Sequence, residues 1–277
     1  MLLAHAPSRK LGNPSGPTLE FREGPKPAGS WAGTRRLYVG GEAAFTLSYW
    51  CGTCQFVFRR AGQSTGALTL PLLTERLNRG LTGVDVGVLA TISDSLPVGD
   101  YLPVLLSVQP RQVSPGAEGD YFAHEQVDTW GADYNGGQPV DPGTPYYRTF
   151  ETPVDKDAHL YEFVVPLVPP SWNDTARVAG FKSTLAESNS PTALAISVLD
   201  VCQPAVQVGP DYYEHWALTH FLLDGHHKSQ AAAETGSSLQ LLALVNMSEG
   251  LSSVEQVARV VELRKQSPGV RIEHRQP

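Results

Sequence analysis

Alternating and continuous apolar runs predict many β-strands in this chain. Residues 37–39 and 44–50 flank the pair Gly40-Gly41, and this pattern is typical of two strands joined by a tight turn. Aromatic or almost continuously apolar runs predict further strands over residues 84–90, 102–108, 159–167, 193–201 and 239–245. Much of the chain is therefore expected to lie in sheets.

Helical signals are fewer. Residues 72–81 predict one short helix, and Ser171 is placed to cap a second helix over residues 172–187. A last helix is expected to begin at Ser252, because Ser252 and Glu255 fit the spacing of a capping box. Strands together with a few helices predict an α+β fold.

Composition narrows the class of protein. The chain has 277 residues, of which 41% are hydrophobic and 18% charged, as expected for a globular protein. Residues 1–36 are rich in Pro and Gly and lack an apolar period, which predicts a mobile arm. A formal net charge of −7 argues against nucleic acid as a partner, because an acidic chain repels a phosphate backbone. Neither a signal peptide nor an apolar run of about 18 residues is visible, so no membrane partner and a cytoplasmic location are expected.

An acidic, loop-like segment covers residues 116–144. It includes Asp120, Glu125, Asp128 and Asp133, which have the oxygen chemistry of hard-cation ligands. The residues after Asp133 lack the spacing of a calcium-binding loop. A solvated acidic surface is therefore the favoured interpretation.

The most informative stretch is residues 219–233, where an apolar strand, a glycine turn and a helix follow each other. Gly225 lets the chain turn without a Cβ clash, and the alanines at 231–233 let the helix lie close to a sheet. The first N–H groups of a helix have no intrahelical partner and lie at the positive end of its dipole. This arrangement predicts an anion site that suits phosphate.

Side chains in the same turn carry matching chemistry. His226, His227 and Lys228 can donate hydrogen bonds to phosphate oxygens, and Ser229 can cap the helix. Asp224 can hold a ribose hydroxyl, orient a histidine or bind Mg²⁺. The alternative is a turn whose polar side chains only cap a helix.

The segment HFLLDGHHKSQAAAETGSSLQLLALV resembles the signature of the ParB/sulfiredoxin-like superfamily. The resemblance implies a small α+β domain, which we place over residues 191–277, and the strand patterns before it predict a β-rich domain over residues 37–190. The resemblance also implies ATP or another nucleotide, with Mg²⁺, at the turn. A catalytic site would perform phosphoryl transfer or nucleotide hydrolysis, with Asp224 as base or metal ligand and His226 and His227 stabilising phosphate charge. Lys228 stands where the family pattern has arginine, so its grip on phosphate would lack the bidentate fork.

Three cysteines suggest a second kind of chemistry. Cys51 and Cys54 are separated by two residues and, with Cys202 and one histidine, could complete a zinc site. That interpretation predicts a non-enzymatic binding or scaffold protein. The string WCGTC also looks like a thioredoxin active site, which would make the protein a thiol redox protein. Ordinary reduced cysteines are the third possibility. Whether the chain is an enzyme, and its oligomeric state, stay open.

Overall fold

A computed structural model describes residues 1–24, 33–62, 70–132, 137–187, 190–205 and 213–266. Thirteen strands lie in these ranges: β1 (Leu2–His5), β2 (Arg9–Leu11), β3 (Leu19–Glu23), β4 (Thr34–Val39), β5 (Glu42–Tyr49), β6 (Phe58–Arg60), β7 (Gly99–Val108), β8 (Arg111–Val113), β9 (Tyr146–Asp155), β10 (Ala158–Pro166), β11 (Thr192–Cys202), β12 (Glu214–Asp224) and β13 (Leu239–Asn246). The α-helices are α1 (Pro71–Arg79), α2 (Val86–Ser93), α3 (Glu125–Trp130), α4 (Thr175–Ala186), α5 (His226–Thr235) and α6 (Val254–Leu263). The predicted α+β class is confirmed.

Nine strands form one large mixed sheet in the order β1-β7-β13-β11-β12-β10-β9-β8, with β2 beside β1 on the edge of β7. The pairs β10–β12 and β11–β13 are parallel, and the other pairs are antiparallel. β10, β11 and β12 are buried along almost their whole length. Strands covered on both faces read as continuous apolar runs, which is why the sequence predicts these central strands well.

Two apolar cores lie on opposite faces of this sheet. On one face, a four-stranded sheet in the order β3-β4-β5-β6 packs together with α1 and α2. Phe45 of β5 meets Phe221 of β12 there, with ring centroids 5.2 Å apart. The other face is covered by α4, α5 and α6, and the alanines of α5 lie directly on it. The molecule is thus built in three layers.

The prediction of a mobile arm is wrong for residues 1–24 and 33–36. β1 and β2 pair with the edge of β7, and β3 pairs with β4. These strands are only three to five residues long, and β1 and β2 are held by β7, which lies about 90–100 residues further along the chain. Strands this short leave no local periodicity of hydrophobic residues that the sequence could reveal. Residues 25–32 lie outside the described residues.

The predicted boundary between residues 190 and 191 does not divide the large sheet. β11, β12 and β13 follow the boundary, yet in space they lie between β7 and β10, which precede it. β11, β12 and β13 therefore share one sheet with strands of the region before them.

Three local predictions are corrected by helix caps. Residues 84–90 were expected to form a strand, but Asp85 accepts bonds from the N–H groups of Gly87 and Val88 and starts α2. Asp174 rather than Ser171 caps α4, which begins three residues later than predicted. For α6, the capping box is formed by Ser253 and Gln256, one residue after the predicted pair. In all three cases the sequence shows the apolar run, but it does not show which polar residue caps the helix.

The acidic segment is only partly a solvated surface. Asp120 is buried and accepts a hydrogen bond of 2.7 Å from the Tyr146 hydroxyl. Glu125, at the start of α3, is also buried and pairs with Arg148 at 2.7 Å. These two acids fasten the segment to β9. Asp133 lies outside the described residues.

Candidate functional site

The predicted strand, turn and helix around residue 225 are formed. β12 ends at Asp224, Gly225 has a φ of +100°, and α5 begins at His226. Gly236 ends the helix in a left-handed conformation, and β13 follows. Gly225 is the N-cap residue, so no side chain caps this helix start. The predicted cap, Ser229, instead lies buried inside the first turn and donates its N–H to the Gly225 carbonyl.

A close approach between Gly225 and β11 fixes the position of this turn. A Cβ atom at residue 225 would lie 2.7 Å from the Cβ of Ala193 and 2.9 Å from its Cα. Only glycine meets both demands, namely a positive φ and the short distance. The start of α5 is therefore held firmly against the end of the sheet.

Lys228 is not positioned as a free phosphate donor. Its ammonium group is buried and donates to the Asp224 carboxylate and to the Thr192 carbonyl, both at 2.8 Å. Burial lowers the pKa of Lys228, and the Asp224 charge partly offsets this effect. Lys228, the predicted phosphate donor, and Asp224, the predicted base or metal ligand, thus pair with each other. Together they fasten the first turn of α5 to β11 and β12.

His226 has unused hydrogen-bonding capacity. Its Nε2 atom is buried and has no hydrogen-bond partner among the described residues. Burial lowers the pKa of His226 to about 4, so the ring is neutral at pH 7. A neutral imidazole with a free ring nitrogen can donate one hydrogen bond to a ligand or accept one.

His227 links two helix starts. Its Nε2 atom accepts a hydrogen bond of 3.1 Å from the backbone N–H of Asp174, the cap of α4. Burial and the nearby Arg177 guanidinium both lower the pKa of His227. The neutral form, which alone can accept this bond, is therefore favoured. The N-termini of α4 and α5 meet at this point.

A cavity of about 550 Å³ opens beside these two helix starts. Asn78 of α1, Trp172 and Arg177 contribute to its walls, together with Asp224, His226 and other residues of the turn. The Asn78 Oδ1 atom is buried and, like His226 Nε2, lacks a partner among the described residues. Trp172 is 52% exposed. The residues that line the cavity thus include two with a buried, unpartnered polar atom, one exposed aromatic side chain and one exposed cation.

Sequence reasoning missed these additional wall residues. Asn78 and Arg177 lie on helices far from the turn in sequence, and only packing of α1 and α4 around the start of α5 brings them near. Trp172 gives a weak signal in the sequence. It directly follows Pro169, Pro170 and Ser171, so its own segment offers few apolar side chains against which the indole could pack. No pattern of spacing connects the three residues.

The cysteines are arranged differently from a zinc site. Cys51 and Cys54 form a disulfide in the connection between β5 and β6, with Cα atoms 6.2 Å apart. Cys202 at the end of β11 is free and buried, and burial raises its pKa. In the described part of the chain, no three His, Cys, Asp or Glu side chains are grouped so that they could hold a metal ion.

Comparison of the chain with family models, curated proteins and solved structures finds no match. The resemblance to the ParB/sulfiredoxin-like superfamily therefore stays a prediction. Across the described ranges, none of the helices combines the length and the apolar character that crossing a membrane requires.

Proposed function

We propose that the cavity at the start of α5 binds a nucleotide or a similar ligand with a phosphate group and a flat ring. The observation that carries the proposal is that two residues lining the cavity, His226 and Asn78, each have a buried polar atom without a partner among the described residues, Nε2 and Oδ1 respectively. A buried polar atom without a partner costs about 1–3 kcal/mol. A ligand that supplies partners to both atoms removes this cost.

The phosphate end of the ligand is expected at the turn. Three sources of positive potential converge there: the N-terminus of α5, the neutral His226 ring as a donor, and the exposed Arg177 side chain. Because Lys228 is occupied by Asp224 and Thr192, it contributes by holding the turn. Arg177 takes over the role that sequence reasoning gave to Lys228.

The ring end is expected at Trp172 and Asn78. A half-exposed indole that lines a cavity offers a face on which a base can stack, and one such stack is worth about 1–3 kcal/mol. The Asn78 Oδ1 atom can accept a hydrogen bond from an amino or imino group of the ring. These two contacts distinguish a nucleotide from inorganic phosphate.

Binding is the core of the proposal, and phosphoryl transfer or nucleotide hydrolysis is its catalytic extension. Asp224 is the carboxylate among the described residues of the cavity wall. Mg²⁺ usually takes one or two carboxylates together with substrate phosphates. Asp224 could supply one such ligand only if its pairing with Lys228 were shared or broken. The unpaired His226 ring, rather than His227, is the group available to the phosphate.

The test is isothermal calorimetry of the full chain with ATP, CTP, ADP and inorganic pyrophosphate, each with and without Mg²⁺. Arg177→Ala is expected to weaken nucleotide and pyrophosphate binding by about tenfold or more, because it removes a charge-assisted hydrogen bond. Trp172→Ala is expected to weaken the nucleotides alone. A difference between the effects on nucleotides and on pyrophosphate shows separately where the base and the phosphates bind.

The matched control is Lys182→Ala, which removes a cation from the same helix as Arg177. Lys182 pairs with Glu234 and does not line the cavity. Its loss is expected to leave every affinity within about twofold. The proposal fails if the wild-type protein binds none of the nucleotides, or if Arg177→Ala and Lys182→Ala have equal effects.

A further inference from the structure

The connection between β5 and β6 carries chemistry that nucleotide binding does not use. Cys51 and Cys54 close a ring of only four residues, Cys-Gly-Thr-Cys. In the chain-entropy view, short loops gain least from a disulfide, because little freedom of the unfolded chain is removed. A disulfide that closes a ring of this size therefore adds little to the stability of the fold.

Hydrogen bonds hold the four-residue loop in place without help from the disulfide. The Gly52 carbonyl accepts from the N–H of Gln203 at 2.9 Å, and the Thr53 carbonyl accepts from the Trp130 indole at 3.2 Å. Gly52 has a φ of +64°, the left-handed conformation that this turn needs. These bonds would keep the two sulfurs close to each other after reduction. Reduction and re-oxidation therefore require no refolding of the loop.

The two sulfur-bearing residues differ in access. Cys51 is partly exposed, and it follows Trp50, which is 47% exposed. Cys54 is only 9% exposed. A thiolate approaching from solvent thus reaches Cys51 first, with an exposed apolar side chain beside it. This asymmetry assigns different roles to the two cysteines.

We infer that Cys51 and Cys54 form a reversible dithiol–disulfide couple that exchanges electrons with thiol or disulfide groups of a partner. A partner thiolate attacks Cys51 Sγ, forming a mixed disulfide and releasing Cys54 as a thiolate. The partner's second thiolate then attacks the partner sulfur of the mixed disulfide and releases Cys51. Two electrons pass from the partner dithiol, which leaves as a disulfide, to the protein, which becomes a dithiol. The reverse sequence oxidises the protein.

Cys202 takes no part in this exchange. It lies next to Gln203, yet its side chain is buried and its thiol is held protonated because burial raises its pKa. The thiolate is the reactive form of cysteine. Cys202 therefore serves as an internal control in the same chain. The couple is also separate from the nucleotide cavity, because Gly52 contacts the end of β11 whereas Gly225 contacts its start.

The test is a redox titration of the full chain in mixtures of reduced and oxidised dithiothreitol. Samples are quenched with acid, alkylated in denaturant so that every free thiol reacts, and weighed by intact mass spectrometry. One reversible transition is expected, from one alkyl group, at Cys202, to three, because Cys51 and Cys54 open together. A disulfide that stays closed or thiols that stay open across the whole range would overturn the inference. So would a zinc ion bound by the purified protein and lost in Cys51→Ser.

Single variants test the assigned roles. With oxidised glutathione, Cys54→Ser is expected to form a stable mixed disulfide at Cys51, because the resolving thiol is gone. Cys51→Ser should react at least tenfold more slowly, since the remaining thiol is buried. Cys202→Ala should titrate like the wild type. Equal rates for the first two variants would contradict the assignment, and the wild-type titration remains decisive if either variant fails to fold.

Discussion

At the scale of single residues, Gly225 has the most demanding position in the candidate site. We expect Gly225→Ala to lower the free energy of unfolding by about 2–4 kcal/mol, because it adds a strained backbone to a steric overlap with Ala193. Urea unfolding followed by tryptophan fluorescence measures this loss. Nucleotide binding should fall as well, since the start of α5 would have to move.

Gly236 offers a matched control at the other end of α5. It also has a positive φ, of +64°, but nothing lies within 4 Å of a Cβ atom added there. Gly236→Ala should therefore lower the free energy of unfolding only by the cost of placing alanine in a left-handed backbone conformation, about 1–2 kcal/mol. If the two variants lose the same stability, the overlap with Ala193 is not important.

Several buried or half-buried charged side chains are already paired in the fold, and the sequence does not show these pairs. Lys228, Asp224 and Glu125 all have partners that lie elsewhere in the sequence or on other elements. A sequence shows which side chains can donate or accept. It does not show which of them are already used, and this is why Lys228 was predicted to bind phosphate directly.

At the scale of elements, α6 is fastened to the large sheet by a buried charge. Arg264, at its C-cap, lies 3.2 Å from the carboxylate of Glu162 on β10, and both are fully buried. Burial by itself would raise the pKa of Glu162. The Arg264 charge, His220 and the Thr149 hydroxyl outweigh burial and lower this pKa to about 2.

This pKa gives a pH dependence of stability with a definite sign. Because the folded-state pKa lies below the ordinary value of 4.5, the stabilisation is fully present above about pH 4.5 and is lost as the pH falls towards 2. Glu162→Gln should remove this loss of stability between pH 4.5 and pH 2. It should also cost about 3–5 kcal/mol at pH 7, because Arg264 would keep a buried charge without its partner.

The measurement is denaturant unfolding of wild type and variant between pH 2 and pH 7. Glu262→Gln is the control, since Glu262 is an exposed glutamate of α6 that pairs with Lys265 at the surface. It should change stability by less than about 1 kcal/mol. A wild-type acid slope that survives in Glu162→Gln would show that other carboxylates are responsible for it.

The predictability of the elements follows from where their stabilising contacts lie. β11, β12 and β13 were predicted from sequence because burial on both faces leaves a continuous apolar run. Residues 84–90, which overlap the start of α2, were predicted as a strand, since a short apolar run fits either structure until the cap at Asp85 is recognised. β1 was missed because its partner, β7, lies about 100 residues away. Local patterns thus predict the centre of the sheet better than its edges.

At the scale of the whole molecule, the strand order joins the regions before and after residue 190 in one sheet. The late strands β11, β12 and β13 lie between the early strands β7 and β10, so that each part of the chain completes the sheet of the other. The candidate cavity follows the same rule, because α1 and α4 come from before residue 190 and α5 comes after it. Its wall could not be predicted from the turn alone for this reason.

The strand order predicts what happens when the chain is cut. A fragment of residues 1–190 lacks β11, β12 and β13, so that β7 and β10 lose the three strands between them. The exposed central edges and the lost apolar burial should prevent both this fragment and residues 191–277 from folding alone. Neither should show a cooperative thermal transition by circular dichroism, whereas the full chain should show one.

Mixing the two fragments supplies the control. If the interleaved sheet is the unit of folding, the pair should regain strand content and a joint transition, because β13 can again pair with β7 and β12 with β10. Tryptophan fluorescence would report this recovery, since Trp216 of β12 is buried in the assembled core. A cooperative transition of residues 191–277 alone would instead support an independent C-terminal domain. It would also mean that the cavity wall is assembled by docking after that domain has folded.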